Sequence, residues 1–211
     1  MKLPIHKLIS FFAVAFSTEV FAAELFATTG FDLGNYELFN TQRIPGIIFG
    51  AGMEFDAERF SSFEHFIQLG SFGSVQNVQL EQVQLGEMRK GQLNAWNMGA
   101  TLSGGSRWHL NDNFSLGALL HFDYGFAGNI QSSLGVINFN QKVDNLTRYG
   151  IRAELRRELT QKMSTFFALG INQGNLKTTE NSTPTTFANS TDLGNIKFTG
   201  YQFLINGSYA M

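Results

Sequence analysis

The sequence predicts an all-β chain, with eight antiparallel strands closed into an up-and-down transmembrane β-barrel. Three observations carry this expectation. Apolar and polar residues alternate with period two over eight segments, the pattern of strands whose successive side chains point to opposite faces. The connectors between the segments alternate short and long, as periplasmic turns and extracellular loops do in outer-membrane barrels. Finally, the face opposite the apolar one is charged and glycine-rich in mid-strand. A soluble barrel or sandwich would point its apolar phase inward, whereas a narrow membrane barrel turns it outward and keeps polar and small residues inside.

Residues 1–22 read as a secretory signal peptide. Lys2 and Lys7 precede the apolar run at 8–16 (LISFFAVAF), and Val20 and Ala22 supply small residues for cleavage. The run is too short to span a bilayer as a helix, and no later stretch approaches the ~20 apolar residues that a membrane helix needs. The domain proper is expected at 23–211. Its strands are expected at 24–34, 46–55, 60–70, 93–110, 114–126, 146–157, 162–172 and 196–211.

In the second segment Ile47, Phe49, Ala51, Met53 and Phe55 share the apolar phase. The third is less regular: Phe63, Ile67 and Leu69 share a phase with His65, while Phe66 and Phe72 lie in the other. The fourth places Trp96, Met98, Ala100, Leu102 and Trp108 together, and the fifth Leu116, Ala118, Leu120, Phe122 and Tyr124. Tyr149, Ile151, Ala153 and Leu155 mark the sixth, and Met163, Phe167, Leu169 and Ile171 the seventh. The last strand alternates Tyr201, Phe203, Ile205, Gly207, Tyr209 and Met211 with Gln202, Leu204, Asn206, Ser208 and Ala210. Short connectors fall at 56–59, 111–113 and 158–161; long ones at 35–45, 71–92, 127–145 and 173–195 hold both prolines that follow the export segment, Pro45 and Pro184.

Trp96 and Trp108 set a length scale. At ~3.3 Å per residue they stand ~40 Å apart along a strand, or ~30 Å along the membrane normal for a tilt of about 40°. That distance puts one indole at each interface. Tyr124, Tyr149 and Tyr201 are expected to start or end their strands at the outer edge and, with Trp96, to form the outer aromatic girdle, with Trp108, Phe114 and Tyr209 completing the aromatic belts.

The opposite phase places Asp32, Glu54, Glu64, Arg107, His121, Asp123, Arg148, Arg152, Glu154 and Arg156 inside. Acids and arginines nearly balance, and an unpaired dry charge costs several kcal/mol, so the lumen is expected to hold a network of ion pairs. Asp123 and Arg148 in particular should pair within ~4 Å. Eight strands enclose a space just wide enough for side chains to fill, which argues against a wide aqueous porin and leaves a small gated pore as an alternative.

Composition narrows the function classes. Fifteen basic and seventeen acidic residues give a charge balance too mild for nucleic-acid binding. There is no cysteine, hence neither a lipid-modified N-terminal Cys nor a disulfide framework. No cofactor is implied, and no His or carboxylate cluster has metal-ligand spacing. His121 and Asp123 share a face and, with Ser103 or Ser115, offer the ingredients of an acyl-transfer triad, although a packed lumen histidine bonded to an acid is the simpler reading. The Asn145, Asn181 and Asn189 sequons reflect loop composition more than glycosylation. The alternation at 75–85 could extend a hairpin above the membrane.

The aromatic at the third position from the end, Tyr209, resembles the C-terminal insertion signal of bacterial outer-membrane barrels, although those usually end on Phe and this chain on Met211. With the turn Trp108-His109-Leu110-Asn111-Asp112-Asn113-Phe114, the whole mature length resembles the small eight-stranded outer-membrane barrels of the OmpA-transmembrane, OmpX and opacity-protein type. That resemblance implies outer-membrane residence and adhesion, surface recognition or envelope integrity mediated by four surface loops. Its implied partners are outer-membrane lipid and lipopolysaccharide, the barrel-assembly machinery, and a host or bacterial surface ligand met by the loops. The rival is a lipid A-modifying enzyme; the His-x-Ser motif of the deacylase type is absent, since His65 is followed two positions later by Ile67.

Overall fold

The computed structural model describes residues 22–37, 43–56, 63–84, 87–134, 137–180 and 195–211. The expected signal peptide therefore lies outside the described residues except for Ala22, which opens the first strand; 57–59 of the connector expected at 56–59 and the loop residues Asn181, Pro184 and Asn189 lie outside them as well. Eight strands follow in order: β1 (Ala22–Tyr36), β2 (Arg43–Asp56), β3 (Phe63–Gln84), β4 (Glu87–Asn111), β5 (Phe114–Leu134), β6 (Ile137–Glu158), β7 (Met163–Glu180) and β8 (Asn195–Ala210). Each pairs antiparallel with the next, and β8 returns to β1 through Glu24↔Ala210 up to Tyr36↔Phe198, closing the barrel. Closure satisfies backbone groups that an open edge would expose to lipid.

Turn chemistry fixes the lower rim. Asn111 Oδ1 accepts the backbone N–H groups of Asn113 (2.9 Å) and Phe114 (3.0 Å), an Asx turn that reverses the chain between β4 and β5. Thr160 Oγ1 plays the same part between β6 and β7, accepting from the N–H of Lys162 and Met163. The C-terminus is tied into the seam by Met211 N–H donating to the carbonyl of Ala23 (3.1 Å).

The outer surface of the barrel is apolar. Phe31, Ile47, Phe49, Met98, Leu120, Phe122, Ile151, Phe167, Leu169 and Ile205 all face out, with Leu120 at 67% exposure and Leu169 at 61%. Exposed apolar side chains on every strand are untenable in water and suit hydrocarbon. At the lower rim Trp108 stacks on Phe63 with centroids 6.3 Å apart, Arg157 caps Phe114, and Lys162 lies over Tyr209.

Two expectations are corrected here. The long connectors 71–92 and 127–145 are mostly strand. β3 and β4 stay paired to Gln84↔Glu87, and β5 and β6 to Leu134↔Ile137. Consequently Tyr124, Tyr149 and Tyr201 do not sit at strand ends; β5 runs on from Tyr124 to Leu134, roughly 30 Å of further wall. The reason is a reversal of pattern. Beyond the girdle the outward positions turn polar (Asn77, Gln79, Gln92, Gln131, Lys142, Lys177, Lys197), while the inward ones gain a large apolar share beside the buried Ser74, Gln76, Ser132, Gln141 and Thr178. Tyr36, Ile44, Phe72, Leu93, Ala95, Ile130, Val143, Leu146, Leu176, Ile196 and Phe198 form one buried cluster inside this upper storey. A membrane barrel thus carries a water-soluble barrel on top, and the apolar phase flips where lipid gives way to water.

Candidate functional site

The lumen below the upper core holds two ionic layers. In the upper, Arg148 Nε donates to Asp123 Oδ2 (2.7 Å) and its NH1 to Asp32 Oδ2 (3.1 Å). Thr101 Oγ1 donates to the other oxygen of Asp123 (2.6 Å), and Arg152 Nε donates to Gln202 while its NH2 lies 4.0 Å from Asp123. In the lower layer Arg107 grips Glu54 with two parallel bonds of 2.6 Å and donates through Nε to Glu154. Such a fork is the strongest geometry for an Arg–carboxylate pair. Arg156 donates to Glu54 (2.8 Å) and to Glu24, and Gln68 to Glu54 (2.6 Å).

Register explains these meetings. Arg107 on β4 faces Gly117 on β5, which faces Glu154 on β6. A Cβ at Gly117 would lie 2.7 Å from the Glu154 side chain and 3.2 Å from that of Arg107. Glycine opens the space in which acid and base meet.

Not every sequence-predicted lumen residue joins a layer. Glu64 bonds His109 Nε2 (3.1 Å) at the lower rim instead. His121 is buried, and neither ring nitrogen has a hydrogen-bond partner among the described residues, so the expected bond to an acid is not made. Asp123 is already engaged by Arg148 and Thr101. Ser103 lies opposite His121 in the register, whereas Ser115 pairs with His109 and Arg156 a layer below. The His121–Asp123 pair therefore forms no hydrogen-bonded relay.

Sequence reasoning passed over Glu24 and Asp56, which lies 3.5 Å from Arg107, as partners in the lower layer, although Glu24 shares the inward phase of Asp32. It also left the lumen too polar. Phe26, Ile48, Phe66, Leu119, Phe166, Ala168 and Leu204 are buried inside. The Arg107 guanidinium lies 3.8 Å over the Phe66 ring, and that of Arg148 5.1 Å over Phe72. These contacts use aromatic faces to stabilise cations away from water. Between the layers a cavity of about 40 Å³ remains, touched by Thr28, Phe26, Arg148 and Glu154.

A closed eight-stranded up-and-down ring with an outward apolar belt and an ion-paired lumen defines a transmembrane β-barrel of the outer-membrane class. Comparison with solved structures finds the same class. The outer membrane protease OmpT from Escherichia coli matches over 92% of this chain and 99% of its own, at 9% identity and a TM-score of 0.51. Neisserial surface protein A matches over 89% and 98% (7% identity, TM-score 0.43), and the attachment invasion locus protein Ail of Yersinia pestis over 90% and 99% (13%, 0.38). At 9% identity the likeness to OmpT concerns the fold alone. No family model and no curated protein matches the chain.

Proposed function

We propose that this is an exported outer-membrane surface protein that acts by recognition through its upper storey, in adhesion or envelope integrity. The observation that carries this reading is the continuation of the wall as paired hairpins beyond the girdle, polar outside and closed inside around an apolar cluster. Passage of solute would need no such storey, and the buried cluster within it draws side chains from all eight strands. Catalysis in the lumen is disfavoured because Asp123 is committed to Arg148 and Thr101. Export follows from the signal-like segment 1–22. The outer membrane then supplies lipid for the apolar belt and an external medium for the hairpins.

The test is replacement of the β3–β4 hairpin beyond Val75↔Trp96 by a two-residue turn. The shortened barrel should insert and keep its heat-dependent shift on gels, while binding of intact cells to host or bacterial surfaces is lost. Retained surface binding would refute the recognition role. Conductance in planar bilayers, or a changed lipid A mass on expression of the intact protein, would replace it with a pore or an enzyme.

A further inference from the structure

A hydrogen-bonded imidazole and hydroxyl stand amid the apolar residues of the outward wall. His65 on β3 and Ser106 on β4 are direct partners in the register, and His65 Nδ1 lies 2.7 Å from Ser106 Oγ. The two are 41 positions apart, so no short motif in the sequence announces them. Other outward hydroxyls are quieted differently. Ser71 donates to the carbonyl of Ala51 (3.4 Å) and Thr165 to that of Asn206 (2.9 Å), which leaves neither oxygen beside a base.

Depth and surroundings give the pair a setting. The next outward partners below it are Phe63 and Trp108, whose rings stack. Two residues of tilted strand put Ser106 ~5 Å along the membrane normal from that indole. Tryptophan marks the interface, so the hydroxyl stands where phospholipids of the periplasmic leaflet carry their acyl esters. On its other side the wall is hollow. Ala118 and Ala153 follow Ser106 across β5 and β6, and with Gly104 they floor a space of about 790 Å³ bounded by Leu120 and Leu169. A Cβ at Gly104 would meet nothing nearer than the Phe66 carbonyl oxygen at 3.7 Å, so the flank of Ser106 is open.

We propose that His65 and Ser106 are a catalytic dyad that hydrolyses acyl esters of glycerophospholipids, with the acyl chain lying in the hollow. Ser106 Oγ attacks the ester carbonyl carbon while its proton passes to His65 Nδ1. The bond from that carbon to the glycerol oxygen breaks, and the imidazolium protonates the leaving oxygen, which releases a lysophospholipid and leaves an acyl-serine. Water from the periplasmic interface then attacks the acyl carbon and gives a proton to the same nitrogen. Ser106 Oγ leaves and takes that proton back, and a fatty acid is released. Hydroxyl and imidazole thus supply nucleophile and general base. Among the described residues no carboxylate is bonded to the imidazole, since Glu64 turns to His109, so turnover is expected to be slow and the covalent step the more sensitive reading. The site rests on the membrane placement given above and is independent of both the lumen and any recognition role of the hairpins.

The experiment folds the full chain into vesicles of phosphatidylethanolamine and phosphatidylglycerol. Mass spectrometry follows lysophospholipid and free fatty acid, and an alkyl fluorophosphonate, whose P–F bond is exchanged for an Oγ–P bond, probes the serine. Equal amounts of the two products and a label on Ser106 are expected. Ser106→Ala should abolish both signals, and His65→Gln should slow labelling about 100-fold or more. Gly104→Leu closes the open flank without touching the dyad and should slow it roughly ten-fold or more. His109→Gln at the rim is the control and should leave both signals unchanged. A heat-dependent gel shift for each variant separates loss of the site from loss of the barrel. Wild-type product release by the folded Ser106→Ala chain overturns the proposal, as does a folded wild-type chain that neither releases fatty acid nor takes the label. If the wild-type chain fails to enter vesicles folded, the membrane placement fails and the site with it.

Discussion

Replacing Arg107 by Met removes the centre of the lower ionic layer while keeping a flexible apolar side chain against Phe66. Arg107 is 1% exposed and serves two carboxylates, but their fates differ. Glu54 keeps Arg156 (2.8 Å) and Gln68 (2.6 Å). Glu154 loses its described partner, because its second oxygen already has none. Breaking a buried pair so that one charge is left uncompensated costs about 3–5 kcal/mol, and that is the expected loss, assigned chiefly to Glu154. Adding Glu154→Gln to Arg107→Met should therefore recover more than half of it. The assay is reversible urea unfolding in lipid vesicles, followed by Trp fluorescence. A loss below about 1 kcal/mol for the single variant, or no recovery in the double, would refute the assignment of the layer's stability to pairing.

Further expectations address the other layers and faces. Arg148→Met should cost about as much: Arg152, 4.0 Å from Asp123, can move in to serve that carboxylate, but Asp32, whose other oxygen has no partner among the described residues, loses the one it has; a loss below about 1 kcal/mol in the same unfolding assay would count against this. Leu120→Arg should destabilise by about 2–4 kcal/mol in vesicles although the residue is 67% exposed, whereas a soluble barrel would lose less than about 0.5 kcal/mol there. Leu93→Ala should cost about 2–5 kcal/mol by leaving a cavity in the upper core, and a neutral result would mean that this storey does not pack as described. Brominated lipids should quench Trp96 and Trp108 more strongly with shallow than with deep bromines, as expected for indoles at the two interfaces.

Sequence alone determined the strand count, the seam and the direction of the barrel's faces within the membrane. Period-two alternation is local, and every lipid-facing strand repeats it, so Trp96 to Trp108 or Tyr201 to Tyr209 could be assigned to a face without knowing any neighbour. The inward placement of Arg107, Arg148 and Glu154 followed from the same parity. Tertiary structure decided which of those charges meet. Glu24 reaches Arg156, and Glu64 leaves the network for His109, because pairing depends on the stagger of one strand against the next, a quantity that side-chain order within a strand does not contain. It also decided how far the wall continues. Past Val75 and Trp96 the solvent changes from lipid to water, so polar residues belong outside and Leu93 and Ile130 inside. A segment such as 127–145 then reads as loop until its hairpin partner is known.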